Sequence, residues 1–284
     1  MRKLNATSII RLSEKRVGSD GLTYRSLSIP STVDAAGAVK CSLRDVEITA
    51  LQNLIVPERY QRNIGTIGIE GQIALLRSRV AIVGLGGLGG SALEMLLRWG
   101  IGGLVVIDPD VFSDSNLNRQ LLSSSDSLGV LKVEAAKKRA LEINAATDIT
   151  AYAMEADEKN LPEAIKDCAA VVDGLDNIRT RFLLEGVCKN IGIPLVHGAI
   201  AGFMGQVSTI FPEDTGLEAV YGSRDVCESG AETELGTPCV TPAAVAAWQT
   251  MEVVKILLGW KDTLKNKILL FDLKDQIITI VDLS

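Results

Sequence analysis

The residues best suited to chemistry begin at a glycine cluster. Val80, Ala81, Ile82 and Val83 run into Gly84, Gly86, Gly87 and Gly89, a G-x-G-x-x-G loop. Glycines at this spacing allow a tight turn and close approach of backbone amides to a phosphate, and the helix they open favours negative charge at its N-terminus. Asp108 follows Gly84 by 24 residues at the end of a second apolar run. A carboxylate there accepts hydrogen bonds from ribose hydroxyls, which suits NAD, FAD or ATP equally.

The residues that follow discriminate. Asp110, Asn116, Arg119 and Gln120 lie in one polar segment, Lys132 starts a helical pattern, and Asp173 and Asp176 come after another apolar run. Arginine and lysine converging on a glycine loop supply fixed positive charge for a triphosphate and for the charge that develops when its α-phosphorus is attacked. Asp176, beyond the carboxyl end of a strand, is suited to holding Mg²⁺ through oxygen. A nicotinamide enzyme needs no such set. Taken singly, each has a plainer reading: Arg119 and Lys132 as solvated charges, Asp110 as an organiser of the loop after Asp108, Asp173 as the cap of the next helix.

A scaffold that positions these groups is legible from residue 78 onward. Strand-like apolar runs at 78–83, 103–108, 149–154, 169–174 and 194–199 alternate with helical patterns at 89–99, 130–144, 161–166 and 177–190. The fold class expected is α/β: a Rossmann-like, mostly parallel sheet with helices on both faces. Residues 205–211, and a hairpin around 274–276, extend it by antiparallel strands at the C-terminal side, with a helix over 242–260 between them. Residues 1–56 form an N-terminal extension of uncertain fold, either two or three strands or an irregular arm, and 57–284 form the nucleotide-binding domain. Within it, 57–76 reads as helical at both ends of a glycine-marked turn, with Arg59 and Arg62 three apart on one helix face. Residues 212–240 are acidic and aperiodic, a long loop of the kind that serves an active site.

Composition removes several classes. With 29 Lys and Arg against 35 Asp and Glu, a net charge of -6 makes a nucleic-acid partner an unsupported expectation. The uncharged run 190–212 contains Pro194, His197, Gln206 and four glycines, so it reads as two buried strands and a turn, and no membrane association is expected. The amino terminus lacks the apolar segment of a secretory signal, and the expected location is cytoplasmic. Five widely spaced cysteines, at 41, 168, 188, 227 and 239, argue against a disulfide framework. His197 is the one histidine and reads as a hydrogen-bonded core residue.

In order along the chain, RYQRN, GLGGLG, DPD, NLNRQ, GVLKVEAA and DGLDNIRTR make the sequence resemble the ubiquitin-activating-like adenylyltransferases, from Arg59 to about Asp282. It resembles in particular bacterial molybdopterin-synthase adenylyltransferase and the sulfur-carrier adenylyltransferase of thiamine synthesis. The resemblance implies that Gly84, Gly86, Gly87, Gly89 and Asp108 bind ATP and that Asp110, Asn116, Arg119, Gln120 and Lys132 surround its phosphates. It makes Arg62, Arg119, Lys132 and Asp176 the catalytic set, Asp176 also meeting Mg²⁺, with Arg62 reaching a triphosphate across the interface of a homodimer. It implies a small ubiquitin-like carrier protein ending in Gly-Gly as partner, its terminal carboxylate attacking ATP to give an acyl-adenylate and pyrophosphate, and a sulfur donor protein thereafter. That carboxylate is already ionised at neutral pH and needs no general base.

The sequence departs from the family's pattern in three ways. Both Cys-x-x-Cys pairs of the zinc-holding members are missing, so no zinc site is expected. Cys227 and Cys239 lie near the place of a family loop cysteine without matching its motif, and Glu228, Glu232 and Glu234 beside them disfavour a thiolate. The extension before residue 57 has no counterpart. Competing readings are adenylation of a small-molecule or tRNA-linked carboxylate, and a nucleotide-binding scaffold without transfer chemistry.

Overall fold

The computed structural model describes residues 6–18, 21–222 and 235–283. Its first unit comprises α1 (Ala6–Leu12), β1 (Glu14–Val17), β2 (Thr23–Leu27), α2 (Ile29–Val39), α3 (Leu43–Gln52) and β3 (Ile55–Pro57). β2 pairs antiparallel with β1 and parallel with β3. Two or three strands or an irregular arm were expected here; the three strands are joined by three helices, and Ser42 and Asp45, which have the spacing of a capping box, form one at the start of α3. Ile9, Leu27, Ala35, Val46, Ala50 and Ile55 make a small core of its own.

A buried polar joint connects this unit to the rest. Tyr60 donates from its hydroxyl to Glu47 Oε2 at 3.0 Å and accepts from Asn144 Nδ2 at 2.9 Å. Arg59, in a single 3-10 turn, lies 3.4 Å from Glu47 Oε1 and also donates to Asn144. Burial raises the Glu47 carboxyl above its ordinary range, against the pull of Arg59 and of the Tyr60 hydrogen bond. The expectation that Arg59 and Arg62 share a face is therefore corrected. Arg59 turns inward from the 3-10 turn, whereas Arg62 is exposed on α4 (Gln61–Arg77), the helix that starts one residue before it. The glycine-marked turn within α4 is Gly68, whose φ of 70° breaks the helix in two.

The larger sheet begins with β4 (Arg79–Val83), followed by α5 (Gly87–Trp99), β5 (Gly103–Ile107), α6 (Lys132–Asn144), β6 (Asp148–Tyr152), α7 (Leu161–Ile165), β7 (Ala170–Asp173), α8 (Ile178–Ile191) and β8 (Leu195–Ala201). Then come β9 (Met204–Ile210), α9 (Leu217–Tyr221), α10 (Val240–Leu258), β10 (Lys267–Asp272) and β11 (Ile277–Asp282). The strand order is β11-β10-β9-β8-β7-β4-β5-β6, parallel from β8 through β6 and antiparallel from β8 to β11.

Alternation sorts the core into two layers. Val80, Ile82, Leu104, Val106 and Val172 face α5, α6 and α10, while Ala81, Val83, Val105, Ile107 and Val171 face α7, α8 and α9. Strands β4, β5 and β7 are thus buried on both sides, which is why they read as continuous apolar runs. The chain leaves β4 toward β5 and β6, then returns to lay β7 on the other side of β4. Such a reversal opens a crevice beyond the carboxyl ends of the two strands.

Candidate active site

That crevice is a cleft of about 860 Å³, within the range of small-molecule sites. The glycine loop forms one wall, with each glycine set to a different task. Gly84 has φ +89° and a Cβ on it would lie 2.5 Å from Gly174 O, so the ends of β4 and β7 touch through bare backbone. Gly89 does not line the cleft; a Cβ there would lie 1.8 Å from Gly84 O, and its role is to seat α5 against β4. Gly86 has only Gln120 Nε2, at 3.9 Å, near its missing side chain, and it faces the open cleft together with Gly87. The first amides of α5 have no partner within the helix and carry its positive dipole end.

Asp108 is buried beside this loop. Its Oδ2 accepts the Leu85 N–H at 2.6 Å and its Oδ1 the Asp110 N–H at 2.8 Å. Burial raises its carboxyl above the ordinary aspartate range, while the Leu85 amide and Lys132 pull it back. Lys132, itself buried at the start of α6, sits 3.7 Å from Asp108 Oδ1 and donates to Asp110 Oδ2 at 2.8 Å. Arg119 lines the same cleft and its guanidinium donates to Ser115 O and Asn118 Oδ1, both at 2.9 Å. Asp176 also lines the cleft and is exposed, which places it at the rim.

Of the residues singled out in sequence, Gly84, Gly86, Gly87, Asp108, Asp110, Arg119, Gln120, Lys132 and Asp176 meet on this cleft. Asn116 stands behind it, its Oδ1 accepting the Ser113 N–H and its carbonyl accepting from the amides of Arg119 and Gln120. It shapes the turn that carries them. Arg62 lies outside the cleft lining of its own chain. Cys239 is exposed just before α10 and does not line the cleft; Cys227 and its neighbours Glu228, Glu232 and Glu234 lie outside the described residues. Cys168 and Cys188 are buried, with burial raising both thiols, Cys168 to about 11. Among the described residues no group of three or more His, Cys, Asp or Glu gathers as a metal site, and no helix is long and apolar enough to cross a membrane.

Sequence reasoning missed Arg181 and Thr237, which also line the cleft. Arg181 is four residues past Asn177, the true cap of α8, which accepts Thr180 N–H at 2.8 Å; one helical turn brings its side chain back to the strand ends. Asp173 is not the cap: it accepts from Leu175 N–H and His197. Thr237 belongs to the aperiodic stretch, and only the fold brings it to the rim, where its carbonyl accepts from Asn118 Nδ2.

The cleft fits a nucleotide on its own evidence. Gln120 is buried, and its Oε1 has no hydrogen-bond partner. An unpaired buried oxygen at the wall of a polar cleft is costly unless a ligand meets it. Beside it, Gly86 leaves room for groups that any side chain would displace. Asp176, with its carboxylate at the rim, would meet Mg²⁺ brought with phosphates.

Comparison with known proteins bears on the family and the fold. Residues 60–284 match the ThiF family. The chain is 37% identical over 224 residues to the SAMP-activating enzyme E1 of Haloferax volcanii, covering 77% of this chain and 82% of that one. It is 33% identical to the sulfur carrier protein ThiS adenylyltransferase of Bacillus subtilis, covering 71% of this chain and 61% of that one. It spans about half the length of the adenylyltransferase and sulfurtransferase MOCS3 of Aedes aegypti. In three dimensions, E. coli MccB with ATP superposes with a TM-score of 0.69 at 20% identity, over 89% of this chain and 82% of that one.

Proposed function

We propose, because this chain belongs to the ThiF family of adenylyltransferases, that it uses ATP to adenylate the C-terminal glycine carboxylate of a small ubiquitin-like sulfur-carrier protein. The observation that carries the reading is the convergence of Arg119, Lys132 and Asp176 on one cleft beside the open backbone at Gly86. Gly86, Gly87 and the first turn of α5 hold phosphate, Asp108 takes ribose, and Lys132 exchanges its Asp110 contact for phosphate oxygen. The attacking carboxylate needs no proton removed, so catalysis consists of alignment and stabilisation of charge at the α-phosphorus. Mg²⁺, when bound, neutralises phosphate charge.

The charges support a homodimer. The lining has Arg119, Lys132 and Arg181 as cations against Asp108, Asp110, Glu155 and Asp176 as anions, which is no excess of positive charge for a triphosphate. Arg62, exposed and outside its own cleft, supplies the missing cation to the site of a second copy. The relatives named for carrier activation lend the substrate class: SAMP activation in one and the ThiS carrier in another. A sulfur donor then consumes the acyl-adenylate.

A second reading has one observation in its favour. The likeness to MccB covers 89% of this chain, an extent that residues 60–284 alone cannot supply, so it reaches into the unit before residue 60. Under that reading the carboxylate belongs to a different ligand, and this unit takes part in choosing it. The test is intact mass spectrometry of carrier proteins incubated with the enzyme, ATP and Mg²⁺ and trapped with hydroxylamine. A hydroxamate on the terminal glycine of an intact Gly-Gly tail supports carrier adenylation; no modification of any such carrier, with ATP still bound, transfers the proposal to the second reading.

A further inference from the structure

Behind the cleft floor lies a polar chain, buried at Asp173, Arg181 and His197 and half-buried at Gln206 and Tyr221, to which the reaction described above assigns nothing beyond the charge of Arg181. His197 is fully buried on β8, and its Nδ1 is 2.7 Å from Asp173 Oδ2. Burial lowers the imidazole below its ordinary range, so the ring is neutral, donating from Nδ1 to Asp173 and accepting at Nε2. The acceptor side meets the Tyr221 hydroxyl at 3.1 Å and Gln206 Nε2 at 3.1 Å. Tyr221 Oη in turn accepts from Gln206 Nε2 at 2.8 Å and from Arg181 Nη1 at 3.2 Å. One hydroxyl therefore uses its proton and both lone pairs, on three different elements.

The far ends of this chain converge on one residue, Leu175, through the peptide groups on either side of it. Asp173 Oδ1 accepts the Leu175 N–H at 2.9 Å, and Arg181 Nη2 donates to the Leu175 carbonyl at 2.7 Å. Arg181 Nε also lies 3.5 Å from Asp173 Oδ2. Leu175 is gripped from both sides, and the next residue is Asp176. An exposed carboxylate at a rim owes its placement to the backbone beneath it, because its own side chain has few contacts to hold it.

Resting on the adenylation reading, we infer that Tyr221 and His197 are positioning residues for Asp176, holding Arg181 and Asp173 so that these fix the backbone on both sides of Leu175. Tyr221 comes from α9, which no strand of the sheet contains, so the placement of Asp176 depends on a helix that packs beside the sheet. Tyr221→Phe deletes the shared hydroxyl at a partly exposed position; His197→Asn keeps a donor toward Asp173 and removes the Nε2 acceptor.

The test measures ATP–pyrophosphate exchange with a carrier and, separately, amide hydrogen exchange of the free protein. Both variants are expected to lose kcat on the order of tenfold, the scale of one well-placed hydrogen bond, with KM for ATP within about twofold. The Leu175 amide is expected to exchange faster in both. Unchanged protection at Leu175, with only the amides of Ala219 in α9 and Gly222 just after it loosened, overturns the inference. So does a rise in KM at constant kcat. If the wild-type protein shows no pyrophosphate exchange, the adenylation reading fails, and protection at Leu175 still decides the coupling by itself.

Discussion

Adding one methyl group to either of two glycines separates the glycine that seats the helix from the one that faces ligand. At Gly89 a Cβ would sit 1.8 Å from Gly84 O, whereas a carbon–oxygen contact requires about 3.3 Å. Relief takes a displacement of about 1.5 Å between α5 and the end of β4, both backbone, so no side chain can rotate away. α5 carries Ala92, Leu93, Leu96 and Leu97 into the main core, and shifting it disturbs all of them. Overpacking of this kind costs about 3 kcal/mol, which lowers Tm by roughly 6–12 °C in a domain of this size. At Gly86 the nearest atom is Gln120 Nε2 at 3.9 Å, an ordinary contact. Gly86→Ala is expected to melt within about 2 °C of the wild-type protein yet bind ATP at least tenfold more weakly, since its methyl occupies the cleft. Thermal unfolding and titration calorimetry with ATP read the two effects. A Gly89→Ala protein with wild-type Tm, or a Gly86→Ala protein with wild-type ATP affinity, refutes this assignment.

Three other outcomes follow from the same geometry. Arg62→Ala is expected to reduce pyrophosphate exchange by 10²–10³-fold, on the order found for loss of a charge-stabilising group, and mixing it with Asp176→Ala should restore roughly a quarter of activity through mixed dimers; absence of complementation contradicts an Arg62 acting in the partner's site. His197 binds fewer protons folded than unfolded, so its stabilisation is present above about pH 6.5 and lost as pH falls below it, by at most about 1.4 kcal/mol per pH unit. Urea unfolding at pH 7.5 and 5.5 should show this decline in the wild-type protein and a flatter profile in His197→Asn. Glu47→Ala leaves the half-buried Arg59 guanidinium without its carboxylate and is expected to cost about 3 kcal/mol in denaturant titration; a cost below about 1 kcal/mol refutes the joint between the N-terminal unit and the sheet.

How far the sequence reached depends on whether each residue's role is local. β4, β5 and β7 are buried on both faces, so their apolar runs announced a covered parallel sheet, and the glycine loop announced its crevice. Hydrogen-bonded burial of His197 was legible because it stands in an apolar strand. Arg59 and Arg62 were misjudged because a 3-10 turn, invisible to helix periodicity, rotates one inward. Asn116 and Gly89 belong to the same motifs as the cleft residues, yet motif membership does not distinguish lining a wall from bracing it. Arg181, Tyr221 and Thr237 could not be gathered from spacing, since α8, α9 and the stretch before α10 meet only in three dimensions. The helices before residue 57 escaped because their apolar faces are short, though the Ser42 capping box was present.

The most direct measurement is ATP–pyrophosphate exchange by the purified protein with Mg²⁺ and a panel of carriers, each with its Gly-Gly tail intact or removed. Carrier adenylation at this cleft predicts exchange that requires the intact tail and collapses in Arg119→Ala and Asp176→Ala. Tail-independent exchange, or full exchange in either variant, would contradict it.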